Sequence, residues 1–186
     1  MKKTLFLFLL MFSLNSMCQT FQLTPKGFVD STNIERNFII KEYNGKTQEQ
    51  LFKSALLSVS KIFISPKDVI SKVENSQISL YGIITNVTSR HPLGMNLPFD
   101  MTFNLVLEFK DGKMKINSPR IISIKQQGLY DIEILLNKNG SGNYIYLFKK
   151  NGNLAEKKHK ESIEKATNSL IKRIIDGMND EHNDSW

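Results

Sequence analysis

Three histidines, one cysteine and scattered carboxylates are the side chains in this 186-residue chain that could support acid–base, nucleophilic or metal chemistry. His91 falls in the loop-like stretch SRHPLGMNLPF, His159 lies between Lys158 and Lys160, and His182 sits in the polar C-terminal stretch. No two of them have metal-ligand spacing, so all three read as solvated surface residues and no metal site is assigned. Asp131 and Glu133 are spaced to share one strand face and, with Lys125, would form a polar patch. A hydrolase acid–base pair would need a substrate cradle that the neighbouring sequence lacks, so an exposed strand face is the simpler reading. There is no GxSxG motif or phosphate loop, and no catalytic residue or cofactor is assigned.

Two stretches are better suited to binding. Arg90 and His91 belong to a segment, Ser89 to Pro98, that also holds two prolines and a glycine, and loops carry function more often than cores. Tyr144, Tyr146 and Phe148 alternate, so as a strand they would present one aromatic face, either to a partner or folded back onto the sheet.

The cysteine belongs to a different argument. Lys2 and Lys3 precede a nearly unbroken apolar run, Thr4 to Leu14, and then polar Asn15 and Ser16, which is the order of a secretory signal. The run is shorter than the roughly 20 apolar residues a membrane-crossing helix needs. Lipid attachment to Cys18 would favour a Leu-like residue three positions earlier and a small residue just before it. Asn15 and Met17 stand there instead. Cleavage after Cys18 places Ser16 and Cys18 at the positions that must be small, so residues 1–18 read as a removable signal and lipidation as the lesser alternative. The mature chain, 19–186, then has no cysteine and no transmembrane segment, and its formal charge falls from +7 to about +5 as Lys2 and Lys3 leave. That excess suits an anionic envelope surface, and with Lys and Glu interleaved it does not point to nucleic acid.

The elements that must position these residues follow from periodicity. Asn37 to Tyr43 reads as a strand ended by Asn44-Gly45. Thr47 then caps an amphipathic helix with apolar Leu51, Phe52, Ala55, Leu56, Val59, Ile62 and Phe63, stopped by Pro66. Val69 to Val73 and Gln77 to Thr88 are strands. Phe99 to Lys110 alternates strictly, and Asp111-Gly112 makes FKDGKMKI a two-residue hairpin into Lys113 to Ile124. Tyr130 to Leu136 and Tyr144 to Phe148, around NKNGSGN, suggest an appended hairpin. Ala155 to about Met178 is a long helix with Ile163, Ala166, Leu170, Ile171, Ile174, Ile175 and Met178 on one stripe, and residues 181–186 form a polar tail. The expected fold is a two-layer α+β domain over 19–180, an antiparallel sheet in the order β-α-β-β-β-β-α with both helices on one face and an extra hairpin before the last.

The entry FQLTPKGFVD, the helix start GKTQEQLF, the stretch SPKDVISKVENSQISLYG and the hairpin FKDGKMKI together resemble the DUF4468 family of secreted Bacteroidetes proteins. The resemblance covers about residues 20–125 and extends to the last helix in pattern. It implies a TBP-like fold and an envelope location, and it implies no activity. TATA-binding proteins read bent DNA with two repeats and apolar wedges on an open sheet face. Here there is one copy, and the expected open face of Tyr81, Thr102, Asn104, Glu108, Lys113 and Lys115 is mixed in charge and poor in wedges.

These readings favour a non-enzymatic binding or accessory module of the bacterial envelope, periplasmic or surface-located, whose partner is an envelope protein or glycan. The alternatives are an unrecognised hydrolase using Asp131, Glu133 or His91, and a structural subunit of an envelope assembly. The intact mass of the protein recovered from the envelope should correspond to a chain starting at Gln19. A mass retaining Cys18 with added acyl groups would overturn the cleavage assignment.

Overall fold

The computed structural model describes residues 19–126, 128, 132–138 and 142–180, and its centre is strand β6 (Leu97–Lys110). Phe99, Met101, Phe103, Leu105, Leu107 and Phe109 are all buried, while the intervening side chains stay partly or wholly accessible. The two-residue period predicted from sequence is therefore the period of the core.

On one side, β6 pairs antiparallel with β5 (Gln77–Arg90), which in turn pairs with the short β4 (Ile70–Val73). On the other side lie β7 (Lys113–Asn117) and β8 (Arg120–Gln126), which occupy successive halves of the same β6 edge. The sequence suggests one return strand here. Ser118 and Pro119 divide it, because proline has no N–H to give a ladder, and the Ser118 N–H donates to Asn37 O at 2.8 Å instead. The split lets β3 (Phe38–Glu42) pair with β7 while β9 (Glu133–Asn137) and β10 (Tyr144–Phe148) extend the sheet from β8.

The pair β9–β10 corrects the expected appended hairpin. The strands run parallel, Tyr144 opposite Glu133 and Phe148 opposite Asn137, so they are not the two antiparallel arms of a hairpin. The Gly- and Asn-rich connection carries hairpin composition, but composition does not fix strand direction.

Helices α1 (Gln48–Ile62), the single-turn α2 (Pro66–Val69) and α3 (Lys157–Asp180) complete the chain, with α1 and α3 both packed on the buried face of the sheet. Helix α1 starts with the predicted cap. The Gln50 N–H donates to the Thr47 hydroxyl, and the Thr47 N–H donates to Gln50 Oε1 at 2.9 Å, a reciprocal capping box. The two-layer α+β class is the one expected from the sequence.

The entry FQLTPKGFVD is a hairpin of its own, β1 (Phe21–Thr24) and β2 (Gly27–Asp30), with Gly27 at φ +112° closing the turn. Phe21, Leu23 and Phe28 are buried. The outer edge of β1 is held by side chains of α3. Asn168 accepts from the Phe21 N–H and donates to its carbonyl, both at 2.8 Å, and Glu164 accepts from the Leu23 N–H at 2.6 Å.

Helices α1 and α3 meet where Ser58 faces Gly177. The Ser58 hydroxyl donates to Ile174 O at 2.8 Å, and a Cβ on Gly177 would collide with the Ser58 side chain. Gly177→Ala should therefore destabilise the protein by about 1–3 kcal/mol, an overpacking cost measured as a lowered urea midpoint. An unchanged midpoint would mean the helices part without penalty.

His159 is a second correction, since the charged sequence around it suggests a solvated residue. It is buried on α3, with Nδ1 2.8 Å from the Thr88 hydroxyl and its ring edge-on to Phe99. The stripe continues one turn N-terminal of Ile163, so position 159 faces the sheet. Burial lowers its pKa, with Arg90 and Lys158 adding to the effect and Glu156 opposing it. The unfolded chain then takes up the proton first as pH falls. Stability should decline below about pH 6.5, the ordinary histidine value, and the decline should be shallower in His159→Leu, read as the difference between the two pH profiles of unfolding free energy. Superimposable slopes would contradict the burial.

Candidate functional site

Alternation along β6 places Asp100, Thr102, Asn104, Val106, Glu108 and Lys110 on the face away from the helices, and cross-strand pairing builds the rest of that face. Tyr81 lies opposite Asn104, Ile83 opposite Thr102, and Gln77 opposite Glu108 on β5. Lys115 of β7 lies opposite Glu108, and Ile40 of β3 opposite Lys115. At the far side a row runs Tyr144, Glu133, Lys125, Asp100 across β10, β9, β8 and β6. The face is thus a continuous surface in which charges alternate in sign and apolar groups are interspersed.

Its polar groups are held in place. The Asn117 amide donates to Glu108 Oε1 at 2.6 Å, and Lys115 Nζ lies 3.3 Å from the same oxygen and 5.2 Å from the Phe38 ring centre. The Asn117 hydrogen bond, with Lys115 beside it, holds the Glu108 carboxyl below the usual carboxylate range. Asn104 donates to the Ser79 hydroxyl at 3.0 Å and to Leu80 O at 3.2 Å. Where the β6–β7 hairpin meets this face, a cleft of about 550 Å³ is lined by Ile40, Gln77, Glu108, Lys110, Lys113 and Lys115 among others. Lys110 and Lys113 have no ion-pair partner among the described residues.

The binding residues nominated from sequence separate into three situations. Tyr144 and Tyr146 share a face as predicted, ring centres 6.1 Å apart, with Lys138 Nζ 6.0 Å from the Tyr146 ring. Phe148 does not join them as an accessible surface: it is 4% exposed and belongs to the core. The chain reverses directly after it, Lys149 N–H donating to Asn153 O and Ala155 N–H to Leu147 O, both at 2.8 Å, which closes over the end of β10. Arg90 and His91 are exposed at the far end of β5, with β6, β8 and β9 between them and the tyrosines.

The acid–base residues are likewise not brought together. Glu133 faces Lys125 on β9, His91 precedes the turn Pro92–Gly94, and Asp131 and His182 lie outside the described residues, as do Cys18 and the proposed signal. Among the described residues no group of three His, Cys, Asp or Glu side chains is placed to hold a metal ion. Sequence reasoning named the polar half of the open face but missed Phe38, Ile40 and Ile83. The alternation in NFIIKEY carries the signal for the first two, once Ile39 is recognised as the inward residue.

No family model matches the chain, and neither does any curated protein. Solved structures do. A TBP-like protein from Parabacteroides distasonis is similar over 76% of this chain and 90% of its own, at 13% identity and a TM-score of 0.52. A DUF4468 family protein from Bacteroides ovatus is similar over 76% and 84%, at 9% identity and a TM-score of 0.53. The chain therefore has the TBP-like fold, and this structural likeness supports the resemblance to the DUF4468 family carried by its motifs.

Proposed function

We propose that this protein is exported and acts as a non-enzymatic binding or accessory module of the bacterial envelope, engaging a protein or glycan across the open face of its sheet. The observation that carries the proposal is that face itself. One side of the sheet is covered by two helices, while the other keeps Lys113, Tyr81, Ile83 and Tyr144 exposed beside fixed amide and carboxylate groups. Exposed aromatic rings offer stacking surfaces, and oriented amides and lysines offer hydrogen bonds to hydroxyl or anionic groups. The likeness to a DUF4468 protein of Bacteroides ovatus supports an envelope setting, and no helix among the described residues is long and apolar enough to cross a membrane.

The fold name brings no nucleic-acid reading with it, because function resides in a site and not in an architecture. Asp100, Glu108 and Glu133 stand among the lysines on the open face, where a phosphate backbone would meet them unfavourably.

Co-sedimentation with isolated envelope fragments tests the proposal. The purified protein should pellet with the fragments, and the double substitution Lys113→Glu, Tyr144→Ala should weaken that association by about tenfold or more while leaving the thermal midpoint within a few degrees. Equal pelleting of the two proteins would exclude the open face as the binding surface.

A further inference from the structure

Strand β5 is much longer than the strand that covers its outer edge. Its residues Gln77–Leu80 pair with β4, and between Ile84 and Thr88 a bulge interrupts the register, with Asn86 at φ +52° and its N–H turned to Asp100 Oδ1 at 2.8 Å. Between these limits, Tyr81–Ile84 pairs with β6 on one side, and Tyr81–Thr85 pairs with no described strand on the other. The outward N–H and C=O groups of this segment are a template for one more strand.

Natural sheets usually protect such an edge with charge, proline, a bulge or a covering element. This molecule protects its other small edge in that way, capping β1 with Asn168 and Glu164. Tyr81–Thr85, the sequence YGIIT, has neither charge nor proline, and Ile83 is 58% exposed. Directly beside it, between the end of α1 and the middle of α3, lies a cleft of about 700 Å³ lined by Phe63, Ile64, Val69, Ile84, Leu170 and Arg173 among others. Gly82 keeps the strand close to this cleft, since a Cβ there would come within 3.3 Å of the Phe63 and Phe103 rings. An unpaired strand edge and an apolar hollow in register with it are the two parts of a strand-addition site, the backbone giving affinity and the hollow taking alternate side chains.

We propose that Tyr81–Thr85 accepts an added β-strand from another polypeptide, an extended segment that seats an apolar side chain in the cleft and sets a carboxylate opposite Arg173. Charge selects this occupant. Arg173 is the one charged residue lining the cleft and has no ion-pair partner among the described residues. A second copy of this chain pairing through the same edge would bring YGIIT, which has no acid to answer Arg173. The site shares Tyr81 and Ile83 with the rim of the open sheet face, but it recognises its occupant through the strand edge and the cleft on the helix side, so it does not depend on the function proposed for that face.

The test uses the purified protein with short synthetic peptides alternating Val and Thr, one ending in Glu, one ending in Lys, and one with Pro at the central Val. Fluorescence anisotropy should show binding of the Glu peptide, about tenfold weaker binding of the Lys peptide, and none of the Pro peptide, which cannot complete the ladder. Amide exchange at Tyr81–Thr85 should slow when the Glu peptide is added. Arg173→Glu should reverse the Glu/Lys preference, and Ile83→Lys, a change at an exposed position, should abolish binding of all the peptides. Equal binding of the Glu and Lys peptides, unchanged amide exchange, or no binding at about 1 mM peptide would overturn the proposal. A dimer in sedimentation velocity that Ile83→Lys dissolves would assign the edge to self-association and also overturn it.

Discussion

The strict two-residue period of β6 is the constraint on which the rest of this structure depends. Phe99, Met101, Phe103, Leu105, Leu107 and Phe109 form one continuous apolar row, and a slip of one residue would send all six to water. Because β6 is flanked on both edges, that row sets the register of β5, β7 and β8, and through them the faces of every other strand in the sheet. The helices answer the same row. Phe52 meets Phe109 edge-on at 5.8 Å between ring centres, and the stripe of α3 from His159 to Met178 covers what α1 leaves open.

What could be read from the sequence was whatever rests on local chemistry. The Asp111-Gly112 hairpin, the Thr47 cap and the stripes of α1 and α3 are each specified by neighbours within a turn or a few residues, and all are found in the structure. The features that escaped depend on groups far apart in the chain. The parallel course of β9 and β10 is a matter of strand pairing that no local pattern in their sequence marks. His159 is buried because Thr88, on a strand remote in sequence, supplies a hydroxyl for its ring. Ser58 and Thr167 are buried polar residues within helical stripes, and nothing in a one-dimensional hydrophobic pattern marks Ser58 as the partner of Gly177. For the candidate site the position was similar. Alternation identified which residues of β6 face outward, but the neighbours that make a surface of them come from pairing.

The molecule keeps its two surfaces for recognition distinct in kind. The open face is broad, polar and stiffened by hydrogen bonds such as Asn117 to Glu108, so it suits a partner recognised by oriented groups. The edge at Tyr81–Thr85 is narrow and apolar, and its recognition would run through the backbone. Only the first was visible from residue types. The second arises from a mismatch in length between β4 and β5 that no single residue encodes.

The clamp on β1 has a consequence for the order of events in a chain's life. The backbone of Phe21 and Leu23 is completed by Asn168 and Glu164, side chains that lie beyond every strand of the sheet. A chain that emerges with its N-terminus first must leave this strand unsatisfied until the last helix is available. Closure is therefore one of the longest loops the protein makes, and such contacts are slow to form. The entry hairpin therefore gains its full set of hydrogen bonds only once the last helix has docked.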